Sequence, residues 1–79
     1  MAAASIPPTG FTTRQTQVVG LIAAGYSADE IAKSLGISAR TVRAHSDALR
    51  AKLRVARRSQ IPAAFLWRTG VDPFTLVVL

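Results

Sequence analysis

The stretch from Gly25 to Arg58 most restricts the fold of this chain, because it carries the start and stop signals of two short helices. Ser27 and Glu30 have the spacing of a capping box, in which each side chain accepts a hydrogen bond from a backbone N–H of the first turn. Gly36 can adopt the left-handed conformation that ends this helix, and Ser38 can cap the next one. Two helices joined by so short a turn predict a helix-turn-helix.

The second of these helices, about residues 39–54, has an apolar face and a basic face. On a helical wheel at about 100° per residue, one stripe of side chains lies within about 40° of Val42 and should pack inward. This stripe consists of Val42, Ser46, Leu49 and Leu53. The opposite face consists of Arg40, Arg43, Ala44, Asp47, Arg50, Ala51, Arg54 and Arg58. Basic side chains therefore gather on the face that the core leaves free.

A basic face of this kind favours contact with nucleic acid. Surface helices normally carry both signs of charge at positions three or four residues apart, and Asp47 is the only acid on this face. Arginine presents a planar fork that fits phosphate oxygens and the major-groove edge of guanine, and a small alanine beside it lets the backbone come close to the groove. The alternative is a basic surface that binds nothing.

Charge and composition narrow the functional classes. The chain has 79 residues, a formal net charge of +6, no cysteine and one histidine. The charge predicts a polyanionic partner such as nucleic acid or an acidic membrane surface. The absence of cysteine excludes disulfides and thiolate zinc ligands, and one histidine cannot build a metal site. We expect no metal, no cofactor, no catalytic constellation and therefore no enzymatic activity.

Neither end of the chain has the pattern of a secretory signal or of a membrane-spanning helix. Residues 1–10 have no basic region followed by an apolar run, and their Pro7, Pro8 and Gly10 indicate a flexible arm or linker rather than a secretory signal. The apolar run from Phe74 to Leu79 is far shorter than the ~20 residues of a membrane-spanning helix. We therefore expect a cytoplasmic protein with no membrane partner.

Two further helices flank the central pair and complete an all-α fold of four helices. Thr12 and Gln15 repeat the capping-box spacing, which predicts a first helix from there to about Ala24. A last helix should cover about residues 59–70, with Pro62 tolerated in its first turn.

The last helix is apolar on more than one side. Ile61, Ala64, Phe65 and Arg68 form one stripe, and one side of the helix should face the core. The side chains that this arrangement leaves for a partner are Ala63, Leu66 and Trp67. Residues 71–79 then form an apolar tail of strand-like composition, which could pair across a dimer, fold against the last helix or stay flexible.

Several motifs of the chain stand in a familiar order and spacing. They are Thr12 and Arg14, the run LIAAGYS at 21–27, Glu30-Ile31-Ala32, Leu35-Gly36-Ile37-Ser38, Thr41-Val42-Arg43-Ala44-His45, and Lys52-Leu53. With these motifs, residues 11–70 resemble the LuxR-type (GerE-like) helix-turn-helix domain of bacterial transcription regulators. The resemblance implies a tetrahelical, bundle-like DNA-binding domain, with the helix after Ser38 in the major groove and the last helix as the dimer interface.

The resemblance also implies roles for single residues. In the family, the position of Arg43 contacts DNA, Ala44 lies beside the bases, and Thr41 and His45 support or touch the phosphate backbone. His45 lies about 60° from Val42 on the wheel, so packing at the edge of the core is the alternative. Together with the basic face, the candidate DNA-contacting residues are Ser38, Arg40, Thr41, Arg43, Ala44, His45, Asp47, Arg50, Arg54, Arg57 and Arg58. The phosphate ligands among them should be Arg40, Arg50, Arg54, Arg57 and Arg58.

Two departures from the family pattern affect this site. The family usually carries glutamates at the positions of Gln15 and Gln17, so any ion pair with basic residues of the helix-turn-helix is absent or weakened here. Asp47 stands where relatives often carry a polar or basic residue. Because carboxylates repel phosphates, Asp47 either accepts a hydrogen bond from a cytosine amine or holds Arg43 or Arg50 in place, and we favour the second role. The alternative is that it only lowers non-specific affinity.

These observations predict sequence-specific binding of double-stranded DNA by a bacterial transcription regulator, acting as a homodimer on paired half-sites. The alternative is a protein-interaction module that uses the last helix and the tail and has only non-specific affinity for nucleic acid. RNA binding fits less well, because residues 40–58 contain no aromatic side chain for stacking. Whether the chain is an excised domain or a small stand-alone regulator, its regulation should come from elsewhere, and a regulatory domain missing from this chain is a candidate partner. RNA polymerase is a further candidate partner.

Overall fold

The described part of the chain, in a computed structural model, comprises Pro8 and residues 10–76. It contains four α-helices: α1 at Thr13–Ala23, α2 at Ala28–Leu35, α3 at Ala39–Leu53 and α4 at Ile61–Thr69. Two 3₁₀ helices follow α3 and α4, at Arg58–Gln60 and Pro73–Leu76. No strand occurs within these residues, so the predicted all-α, four-helix fold is confirmed. The predicted flexible arm falls largely on residues 1–7 and 9, outside the described residues.

The first three helices begin at the side-chain caps that the sequence predicts. Thr12 Oγ1 accepts from the backbone N–H of Gln15 at 3.0 Å, and Gln15 Oε1 accepts from the N–H of Thr12 at 3.0 Å. Ser27 and Glu30 form the same reciprocal pair at 3.2 and 2.8 Å. The bond from the Ser27 backbone N–H favours the charged carboxylate and holds the pKa of Glu30 below its ordinary value. Ser38 Oγ accepts from the N–H of Thr41 at 3.0 Å.

The same three helices end in left-handed turns. At these three ends, the residues with positive φ are Gly25 at 92°, Gly36 at 69° and Arg54 at 59°. The residue after each of them returns its N–H to a carbonyl five positions earlier, as in a Schellman motif. These following residues, namely Tyr26, Ile37 and Val55, are half-buried against the core. Each turn therefore fixes both the end of a helix and an apolar contact.

The core lies between α1, α3 and α4, with α2 packed on α3. Its fully buried side chains are Val18, Val19, Ile31, Val42, Leu49, Ile61 and Phe65. Phe11, just before α1, meets Phe65 edge to face with ring centroids 5.0 Å apart. The predicted inward stripe of α3 is confirmed, because all four of its members are buried.

The last helix begins two residues later than predicted. Residues 58–60 form a 3₁₀ turn, in which Gln60 Oε1 accepts from the N–H groups of Ala56 and Arg57 at 3.1 and 2.9 Å. These bonds tie the chain into a tight turn before α4 begins at Ile61, and Pro62 lies in the first turn. The first helix ends at Ala23, one residue before the predicted end.

Residues 71–76 pack chiefly on α1, an arrangement that the sequence did not suggest. Their 3₁₀ helix is set by Asp72, whose Oδ1 accepts from the N–H of Phe74 at 3.0 Å. Pro73 is buried and Leu76 lies directly over Gly20. A methyl group added to Gly20 would stand 2.9 Å from Leu76 Cβ, so the close approach requires a residue without a side chain. Residues 77–79 lie outside the described residues.

Gly20→Ala should therefore destabilise the protein, although alanine is the better helix former. We expect the free energy of unfolding to fall by about 1–3 kcal/mol, because the added methyl overpacks against Leu76. Urea unfolding followed by circular dichroism measures the change. Gln17→Ala, at an exposed position of α1, should change the same quantity by less than about 0.5 kcal/mol. A gain of about 1 kcal/mol in Gly20→Ala, as helix propensity alone gives, would show that the C-terminal segment does not dock on α1.

Candidate nucleic-acid interface

The exposed face of α3 carries most of the predicted DNA-contacting residues. Because the opposite stripe is buried, these side chains project into solvent. The exposed ones are Ser38, Arg40, Thr41, Arg43, Ala44 and Asp47 on α3 or its cap, and Arg54 and Arg57 just after it. The half-buried ones are His45, Arg50 and Arg58. Most of the candidate residues on α3 therefore share the side of this helix that faces away from the core.

The first turn of α3 is suited to an anion. Ser38 Oγ, already accepting from the Thr41 N–H, also shares a hydrogen bond with Thr41 Oγ1 at 2.9 Å. This turn carries no acidic residue, and Arg40 stands exposed within it. The free N–H groups and positive dipole end of a helix attract negative charge. The chemistry of this end of α3 matches a phosphate group.

Asp47 and Arg50 form an ion pair on the exposed side of α3 through Oδ1 and Nη2. The other terminal nitrogen of Arg50, Nη1, donates to the carbonyl oxygen of Ala56 at 3.2 Å. Of the two arginines that Asp47 was expected to hold, the structure pairs it with Arg50 rather than Arg43 within the described residues. The guanidinium of Arg50 thereby joins α3 to the loop that follows it.

Arg58 makes a second bond between elements. Its Nη2 donates to the carbonyl oxygen of Tyr26 at 2.5 Å, across the turn between α1 and α2. Two arginines predicted as phosphate ligands therefore also hold the loop after α3 in place. Between them lies a shallow cleft of about 380 Å³, lined by Ala28, Arg43, Ser46, Asp47, Arg50 and Arg58.

Lys52 lies outside the arginine face of α3 and contacts residues just before α1 and in its first turn. Its Nζ donates to the carbonyl oxygen of Gly10, lies 4.9 Å from the centre of the Phe11 ring and is 3.4 Å from Gln15 Oε1. The neutral amide oxygen Oε1 of Gln15 accepts a hydrogen bond from Lys52 Nζ. A glutamate at this position would form an ion pair with Lys52, and the bond to the amide is the weaker form of that contact. The helical wheel separates Lys52 from the arginine face, whereas a count of basic residues along the sequence groups Lys52 with these arginines.

The predicted partner surface of α4 is exposed. The exposed fraction is 87% for the side chain of Trp67 and 43% for that of Leu66, and Ala63 is exposed as well. Beside Trp67 lies a second shallow cleft of about 410 Å³, whose other lining residues are Leu53, Ala64 and Arg68. Arg68 Nη1 donates to the carbonyl oxygen of Lys52 at 3.2 Å and so holds this end of α4 against α3.

Two other kinds of site are absent from the described residues. None of the helices there is long and apolar enough to cross a membrane. Over the same residues, no group of three or more histidine, aspartate or glutamate side chains stands close enough to hold a metal ion.

Comparisons with known proteins agree with this geometry. The family model described as bacterial regulatory proteins, luxR family, matches residues 9–63. Proteins named HTH-type transcriptional regulator MalT from Yersinia pestis (strain Pestoides F) and Serratia proteamaculans (strain 568) are each 47% identical to this chain over 49 residues. The matched part is 62% of this chain and 5% of each relative, so the chain corresponds to a small part of these proteins. No solved structure matches the chain significantly.

Replacing Arg54 should have opposite effects on the stability of the protein and on its affinity for DNA. It is the one residue other than glycine with a positive φ among the described residues, and a side chain in this conformation is strained. Arg54→Gly should raise the free energy of unfolding by about 0.5–1 kcal/mol, measured in urea, because glycine removes the strain. If Arg54 binds a phosphate, the same change weakens duplex binding.

Arg57→Gly is the matched control, since it removes the same charge from a residue whose backbone is extended, at φ −124°. This variant should weaken duplex binding without any gain in stability. An Arg54→Gly protein no more stable than Arg57→Gly would contradict the left-handed conformation of Arg54.

Proposed function

Because this chain belongs to the LuxR family of bacterial regulatory proteins, whose helix-turn-helix domains bind DNA and regulate transcription, we propose that it reads a specific duplex sequence with α3 in the major groove. The observation that carries the proposal is the exposed face of α3, where arginines flank the small Ala44 opposite a fully buried stripe. An α-helix fits the major groove, and the end of α3 bearing Ser38 would approach the bases.

The exposed arginines divide into two groups in this proposal. Arg43, beside Ala44 in the second turn of α3, would form the bidentate contact with a guanine edge. Arg40, Arg54 and Arg57 would bind phosphates along the flanking backbone and supply salt-dependent affinity. Thr41 would lie beside the phosphate backbone, while the half-buried His45 would support the helix from the edge of the core.

We further propose that α4 pairs two copies of the chain on DNA. Trp67 and Leu66 give this helix an exposed apolar side, and large aromatic side chains often anchor protein interfaces. Two copies related by a twofold axis would place their α3 helices on half-sites about one helical turn apart. Regulatory input would then come from a domain outside this chain, RNA polymerase would be a further partner, and the protein would act in the cytoplasm.

A protein-interaction module is the second candidate function. It is favoured by Phe74, whose side chain is 66% exposed on the C-terminal segment, in addition to Trp67 on α4. In that case, affinity for DNA would be non-specific and a second protein would cover these aromatic rings. Sequence selectivity on duplex DNA discriminates between the two functions.

Selection of binding sites from a random duplex pool at near-physiological salt tests DNA reading directly. The parent protein should enrich a defined site, and Arg43→Ala should lose discrimination at one base position by about 1–3 kcal/mol, as expected for a bidentate contact. Lys33→Ala removes a positive charge from an exposed position on α2 and should leave the selected site unchanged. Equal weakening of Arg43→Ala on every sequence would contradict a base contact, and no enrichment by the parent would favour the interaction module.

Trp67→Ala tests pairing through α4. Because the indole is exposed, the free energy of unfolding should change by less than about 0.5 kcal/mol. Binding to a duplex with two half-sites should weaken by about 2 kcal/mol or more, whereas binding to one half-site should not change. Analytical ultracentrifugation of the complexes gives the number of bound copies. Phe74→Ala removes an exposed aromatic ring outside α4 and should preserve the two-copy complex; equal losses in both variants would argue against α4 as the interface.

A further inference from the structure

We propose that Asp47 is an internal anion that competes with DNA phosphates for the cleft between Arg43, Arg50 and Arg58. While the carboxylate is paired with Arg50, this guanidinium is not available to a phosphate. Removing the negative charge of Asp47 would convert Arg50 into an additional phosphate ligand. The inference rests on the proposed DNA binding and adds a control of affinity within that same surface.

The make-up of the cleft supports this competition. Three guanidinium groups and one carboxylate line it, so the cleft attracts an anion even when Asp47 is charged. The side chain of Asp47 is 67% exposed, whereas that of Arg50 is 34% exposed. The carboxylate is thus open to solvent while it occupies the Nη2 side of the Arg50 guanidinium, on the side of α3 proposed to meet DNA.

The other bond of Arg50 keeps its guanidinium in place when the carboxylate leaves. Nη1 donates to the Ala56 carbonyl oxygen at 3.2 Å, while Nη2 pairs with Asp47. A phosphate oxygen arriving at the cleft would accept from the same Nη2 side of the fork. Exposed ion pairs contribute little to folding, so opening this one would hardly affect the stability of the protein.

This role makes a different prediction from base reading by Asp47. Phosphates are the same in every sequence, so an internal competitor lowers affinity for all duplexes and leaves the preferred bases unchanged. A carboxylate that accepts from a cytosine amine would instead change the preference at one position when it is replaced. The salt dependence of binding counts phosphate contacts, with a slope of about −0.9 in log K against log salt for each contact.

Asp47→Asn tests the inference with little change in shape. Binding to the selected site and to a scrambled duplex should tighten by about 3- to 10-fold at low salt. The salt slope should steepen by about 0.9 on both duplexes, as for one added phosphate contact. Asp29→Asn is the matched control, since it removes the same charge from an exposed carboxylate on α2 that does not line the cleft. It should preserve the slope of the parent.

A double-mutant cycle assigns the gain to Arg50. Arg50→Gln should change the slope of the parent little, but it should abolish the steeper slope of Asp47→Asn. Circular dichroism verifies that each variant is folded, and if Arg50→Gln does not fold, the comparison of Asp47→Asn with Asp29→Asn decides.

An unchanged slope in Asp47→Asn, or equal gains in Asp47→Asn and Asp29→Asn, would overturn the competition. A changed base preference would also overturn it and assign Asp47 to reading a base. If the parent binds the selected site while Asp47→Asn gains nothing, the proposed function stands and only the competition fails. If neither protein binds duplex DNA, both fail.

Discussion

The burial of one apolar stripe of α3 is the interaction on which the rest of the structure depends. Val42 and Leu49 are fully buried against the other helices, and each such side chain contributes about 1.5–3 kcal/mol by leaving water. In a domain of this size, the net stability amounts to only a few such contributions. The rotation of α3 about its axis is therefore fixed strongly, and the exposure of the arginine face follows from it.

Basic residues of one chain serve different purposes because their surroundings differ. Lys52, Arg58 and Arg68 donate to backbone carbonyl oxygens of distant segments, and Arg50 does the same for the loop after α3. Arg40, Arg43, Arg54 and Arg57 are exposed on the side of α3 away from the core. The chain thus carries more positive charge than the surface proposed to meet DNA. Several of the other basic side chains hold the helices in their relative positions.

Local signals in the sequence predicted most of the fold, and the residues that escaped prediction depend on distant contacts. The caps at Thr12, Ser27 and Ser38 act within one helical turn, so their spacing was sufficient to locate three helices. The docking of Leu76 on Gly20 joins residues more than fifty positions apart, and a glycine in mid-helix was its one local signal. The left-handed Arg54 had no signal at all, since glycine is the usual residue there. The roles of single arginines depend on carbonyl oxygens that only the folded chain brings near.

Lys52 connects the residues just before α1 to α3, the helix proposed to read DNA. Its ammonium group holds the carbonyl oxygen of Gly10 and the face of Phe11 while its backbone belongs to the last turns of α3. Phe11 also packs edge to face on Phe65 of α4, so the residues just before α1 contact both α3 and α4. Displacing the segment before α1 would therefore have to break its contacts with α3 and α4 or carry both helices with it.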